Sequence, residues 1–240
     1  MLRIPLRNLI AQAGLSALAD SDGAGTLRAL AQFVRRADAA DGLRLEPDAT
    51  SILGTAGDVF EATDNGLRLR AEHAEALAEM RTRVQRMAAA VDASTCGPAP
   101  FAWDDYHGLP WKGASRPDES AIRWVLCAAA LLFEHGLYFE VHEVIEPCWL
   151  RTDGRDRTFF KGLIQVAVGL HHHHNGNLAG ARSLLADGNA RLKSCRPAYR
   201  GMDLDVFCAG IDDCLAALRA SDTAGRPLDA VPRFKLNPGR

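Results

Sequence analysis

The sequence predicts an all-α protein, with a compact antiparallel helical bundle preceded by a helical N-terminal region. Three observations lead there. Apolar residues recur at helical spacing along most of the chain, as in Leu77, Met80, Val84, Met87 and Val91. Glycine and asparagine punctuate the periodic segments, at Gly136 and at Asn175-Gly176-Asn177. The connections between the later segments are short, which makes consecutive helices antiparallel neighbours.

The first element predicted is a helix over 26–40, on Leu27, Leu30, Val34 and Ala37, with Gly42 as its stop. Gly42-Leu43-Arg44-Leu45 is echoed by Gly66-Leu67-Arg68-Leu69. Between the two lies an ambiguous stretch. Ile52, Leu53, Ala56, Val59 and Phe60 fit one helical face, so a helix over 48–60 is preferred to a hairpin around Asn65-Gly66. A helix over 71–93 follows, whose apolar stripe would pack on another helix or serve self-association. Prolines and glycines then interrupt the pattern over 94–118, where Phe101, Trp103, Tyr106 and Trp111 suggest an aromatic strap and not a free linker. Five helices are predicted at roughly 119–135, 138–150, 158–174, 177–194 and 203–219. The implied organisation is a helical region over 1–93, the strap over 94–118, a five-helix domain over 119–220 and an irregular tail over 221–240.

Composition excludes several function classes. The chain has 240 residues, 48% hydrophobic and 24% charged, with a formal net charge of −2. That balance gives no general attraction to nucleic acid or to an anionic membrane surface. The longest apolar run, 124–133, is half of what a membrane span needs. The first eighteen residues carry no signal-like apolar block, and none of the six cysteines forms a CxxC pair. Reduced thiols in a cytoplasmic protein are the simplest expectation. Dinucleotide, P-loop and nucleophile-elbow motifs are absent from the sequence.

The histidines are unevenly placed. Six of the eight, His135, His142 and His171 to His174, fall within 40 residues. On a helix over 138–150, Phe139, His142, Glu143, Glu146 and Leu150 fall within about 100° of one another. A face carrying Phe139 and Leu150 should turn inward and take His142 and Glu146 with it. Buried carboxylates need partners, and the helix over 158–174 offers Lys161, Gln165 and one of His171 or His172. Pro147 cannot donate to the Glu143 carbonyl, which predicts a kink at the cluster.

Two readings of this cluster stand side by side. In the first, a polar network including Lys161 and Gln165 fixes helix register inside a binding or scaffold module. In the second, the chain is an enzyme. His142 and Glu146 with His171 or His172 would then hold a divalent metal, the one cofactor the sequence offers, or His142 or Glu143 would act as general base on a small substrate. His-x-x-x-Glu is not the His-Glu-x-x-His of zinc proteases, and Glu-x-x-His of di-iron bundles does not occur. No partner is legible, beyond self-association through helix faces.

The pattern Phe133-x-x-Gly136-x-Tyr138-Phe139-Glu140-x-His142-Glu143-x-x-Glu146-x-x-Trp149, followed by Phe159-Phe160-Lys161-Gly162-Leu163-Ile164-Gln165, His171 and Gly176-Asn177-x-x-Gly180-Ala181, resembles the family called domain of unknown function 309. The resemblance spans about residues 120–219. It implies a compact helical fold and places Glu140, His142, Glu143, Glu146, Trp149, Gln165 and His171 at the family's characteristic positions, with Tyr138, Trp149, Lys161 and Gln165 as motif or network candidates. It implies no activity. The sequence departs from the family pattern at Glu134 and at Pro147.

Overall fold

The structure is a computed structural model that describes residues 2–37, 45–101, 116–220, 228 and 231–236. Much of the strap over 94–118, the stop at Gly42 and most of the tail lie outside these residues. The described residues contain nine α-helices and two short antiparallel strand pairs. The chain divides into two compact units, 1–105 and 106–240. No helix among the described residues is long and apolar enough to cross a membrane.

In the first unit, α1 (Ile4–Ala19), α2 (Gly25–Arg36) and α4 (Leu77–Asp92) pack around one another. Met80, Val84 and Met87 of the predicted stripe are fully buried in this unit, and Leu77 and Val91 are half-buried. Gly14 of α1 lies against Met87, where a larger residue would collide. Arg81 donates to the Val34 and Ala37 carbonyls at 2.8 and 3.0 Å, closing the carboxyl end of α2.

The helix expected over 48–60 is a correction. Helix α3 stops at Gly54 (Pro47–Gly54), and β1 (Phe60–Thr63) pairs antiparallel with β2 (Gly66–Leu69). Gly54 and Gly57 weaken helix continuation. Alternation then wins, with Phe60, Leu67 and Leu69 buried on one face and the Arg68–Glu61 ion pair at 2.6 Å outside. Phe60 meets Phe33 of α2 edge-on at 5.0 Å.

The second unit holds the five predicted helices: α5 (Glu119–Glu134), α6 (Tyr138–Leu150), α7 (Gly154–His174), α8 (Leu178–Lys193) and α9 (Leu204–Ala220). Helix α6 runs through Pro147 without a break in its helical assignment. The turns after α5 and α7 share one design. Gly136 (φ 68°) and Gly176 (φ 77°) sit left-handed. The N–H groups of Leu137 and Asn177 reach back to the Leu132 and His172 carbonyls, each at 2.9 Å.

Helices α7 and α8 pack most closely. A Cβ on Gly188 would lie 2.8 Å from the Gly162 carbonyl, and one on Gly169 would lie 2.9 Å from Leu185. Contacts that ascend α7 descend α8, as antiparallel packing requires. A short hairpin, β3 (Ala198–Tyr199) with β4 (Met202–Asp203), joins α8 to α9. Phe234 closes the core against Phe133 and Phe207, both at 5.8 Å. Cys148, Cys195, Cys208 and Cys214 are buried free thiols, as expected. Cys96 and Cys127 are not, since each is disulfide-bonded.

Candidate functional site

The predicted face of α6 brings His142, Glu143 and Glu146 together. His142 Nδ1 lies 3.0 Å from Glu143 Oε1, and Nε2 lies 3.5 Å from Glu146 Oε1. The side chains are 22%, 21% and 35% exposed, so they sit at the rim of the core and not inside it. The inward position goes to Phe139 and to Glu140, which is fully buried. Burial works against the imidazolium and is the largest single influence. The hydrogen bond to Glu143 and the charges of Glu146 and Glu143 together outweigh it, and raise His142 above its ordinary 6.5. When protonated, the ring donates at both nitrogens, one to each carboxylate.

The partners expected on α7 turn elsewhere. Gln165 accepts a hydrogen bond from Arg191 of α8 at 2.9 Å. Lys161 lies over the Trp149 ring at 5.7 Å, where Arg157 also stacks at 4.8 Å. The Trp149 indole N–H is buried and makes no hydrogen bond among the described residues. Tyr138 packs edge-on against Phe133 at 5.2 Å.

The two candidate metal ligands on α7 serve the α7–α8 turn. Asn177 spends its Oδ1 on the Gly180 N–H, capping α8, so its Nδ2 faces His172 Nδ1 at 3.0 Å. Asn175 Nδ2 lies 2.8 Å from the His171 carbonyl and 3.1 Å from its Nε2. His171 approaches the α6 cluster through Phe139. The Phe139 ring lies 5.8 Å from His171 and 6.0 Å from His142. Among the described residues, no group of three or more His, Cys, Asp or Glu side chains is arranged to hold a metal ion. His173 is the buried member of the tetrad.

These side chains lie within one segment that is recognisable by comparison. Residues 126–184 match the family model of DUF309, a domain of unknown function. An uncharacterised protein of Bacillus subtilis, YpuF, is 38% identical over 69 residues, 28% of this chain and 40% of that protein. An uncharacterised Aquifex aeolicus protein is 24% identical over 92 residues, 38% of this chain and 28% of its own length. The chain thus spans less than half of either relative. No solved structure matches it. The DUF309 segment runs from α5 into α8 and contains every candidate site residue from Tyr138 to His172.

One cluster escaped the sequence reading. Asp156, only 3% exposed, accepts from Arg200 Nε at 2.7 Å and from the Tyr199 hydroxyl at 2.9 Å. Arg116 also donates to it at 2.5 Å. Burial is the largest single influence and pushes the carboxyl pKa up, but the Arg200 and Tyr199 hydrogen bonds and the two arginine charges together hold it below the ordinary 3.8. Arg200 sits at φ +52°, beside Gly201 at +78°, in the β3–β4 turn. The sequence signal was weak, because Asp156 and Arg200 stand 44 residues apart.

Proposed function

We propose that the DUF309 segment is a helical binding or scaffold module. In it, His142, Glu143 and Glu146 form a charge-paired clasp along α6 and not a reaction centre. One observation carries this reading: both ring nitrogens of His142 face carboxylates of the same helix. A metal ligand presents a bare nitrogen lone pair, and here each ring nitrogen already has a carboxylate beside it. A general base has the same requirement.

The alternative is a divalent-metal or acid–base site using His142 and Glu146 with His171 or His172. It draws support from the Phe139 ring, against which both His142 and His171 pack. Elemental analysis of the untagged full chain separates the two. The expected result is less than 0.1 equivalent of bound metal (an order-of-magnitude threshold), and no change in melting temperature on adding zinc, since a bound ligand stabilises by mass action. Stoichiometric metal that disappears in both His142→Ala and Glu146→Ala would replace the clasp by the metal site.

A further inference from the structure

Residues 231–236 belong to no helix or named strand of unit two, yet they are seated on it. Their burial alternates. Pro232 and Phe234 are buried and Leu236 is half-buried, while Val231, Arg233 and Lys235 are exposed. A period of two marks an extended chain with one face against a surface. Both charges of the segment stand on the outward face, and the inward face is apolar.

The receiving surface fits the segment position by position. Phe234 enters between Phe133 of α5 and Phe207 of α9, at 5.8 Å from each ring. Leu236 bridges antiparallel to Met202 of β4, whose other partner is Tyr199 of β3. The segment thus begins a third strand beside the hairpin. Pro232 lies against Gly210 of α9. A Cβ on Gly210 would come within 2.9 Å of Pro232 Cβ and 3.0 Å of its Cα, and its three nearest neighbours all belong to Pro232. Glycine weakens a helix interior, and here the space it leaves is taken up by the segment.

Strand addition at a sheet edge, with separate seats for alternate side chains, is a mode of extended-peptide recognition. We propose that residues 231–236 are an internal ligand. They occupy, and thereby mask, a groove of unit two that binds extended peptides of the pattern Pro-x-Phe-x-aliphatic. Covalent attachment makes re-docking intramolecular, with an effective concentration on the order of millimolar. An outside segment therefore enters only when the internal one leaves. The groove shares no residue with the His142–Glu143–Glu146 clasp, so the two readings fail separately.

The test uses the full chain and a fluorescent, end-capped peptide of residues 231–236, read by anisotropy. Phe234→Ala empties the aromatic seat and should bind the peptide saturably. The wild type should bind it at least about tenfold more weakly, because its own segment competes. Alanine in place of phenylalanine in the peptide should cost about tenfold or more, the scale of an aromatic anchor. Gly210→Leu, added to Phe234→Ala, should fill the Pro232 seat and abolish binding, with the helical circular dichroism retained. A folded Phe234→Ala chain that does not bind would overturn the proposal. So would equal binding by the wild type, or an affinity unchanged by Gly210→Leu. If Phe234→Ala does not fold, NMR of the wild type decides. Peptide at about millimolar concentration should move the Phe234 ring signals towards those of a free chain, with the rest of the fold intact. Signals that do not move would make 231–236 a fixed part of the core and refute the proposal.

Discussion

Asp156 and His142 show opposite responses of a charge to its surroundings. Asp156 is buried but held ionised by Arg200 and Arg116, so its folded-state value lies below its unfolded one. Its contribution is present above the unfolded value near 3.8 and is lost as pH falls through the lower folded value. Asp156→Asn should destabilise unit two by about 1–3 kcal/mol at neutral pH, because Arg200 and Arg116 lose a charged hydrogen-bond partner while Arg200 keeps Glu119. The variant should also lose less stability than the wild type as pH falls below about 4. Chemical denaturation at pH 7 and pH 3 measures both, and a variant as stable as wild type at pH 7 would refute it. His142 runs the other way. Its folded value is raised, so the clasp is fully present below about 6.5 and weakens as pH rises through the folded value. An NMR titration should place His142 above 6.5, and Glu146→Gln should move it down. A value at or below 6.5 in the wild type would mean that burial prevails.

At the scale of elements, the α7–α8 contact is set by glycine. A Cβ on Gly188 would lie 2.8 Å from the Gly162 carbonyl and 3.0 Å from the Val166 nitrogen, both backbone atoms, and 2.9 Å from Val166 Cγ2. Gly188→Ala should therefore destabilise by about 1–3 kcal/mol, despite a helix-propensity gain of about 1 kcal/mol. Gly54→Ala at the end of α3 meets nothing within 4 Å and should be neutral or slightly stabilising. Thermal melts of the two variants give the contrast, and equal shifts would refute a backbone clash. The helices of unit two were legible because their stripes are long and their turns are marked, as at Gly136 and Asn175 to Asn177. The β1–β2 hairpin was misread because Val59 and Phe60 satisfy both periods over so short a span. The β3–β4 hairpin carries no apolar alternation, being two residues a side. The α6 face was legible from 100° per residue alone. That arithmetic gives direction and not depth, so it put His142 inside the core when Glu140 and Phe139 occupy that place.

The whole molecule follows from two cores. Leu6, Ile10, Phe33, Phe60, Met80 and Met87 are buried in unit one, and Phe133, Phe159, Phe160, Phe207 and Phe234 in unit two. Long-range polar partners stay hidden in a sequence, and the Asp156 cluster joins Arg116, Tyr199 and Arg200 across unit two only after folding. All three of those partners lie outside the DUF309 segment, while Asp156 lies within it. The segment alone would therefore leave a buried carboxylate without its cations, and should fold poorly. The complete second unit retains them. Residues 106–240 expressed alone should give a helical spectrum and a cooperative unfolding transition, at a length ordinary for one domain. Residues 126–184 alone should not. Circular dichroism and urea unfolding of the two fragments make the comparison. A cooperatively folded 126–184 would show that the Asp156 cluster is dispensable to the DUF309 core.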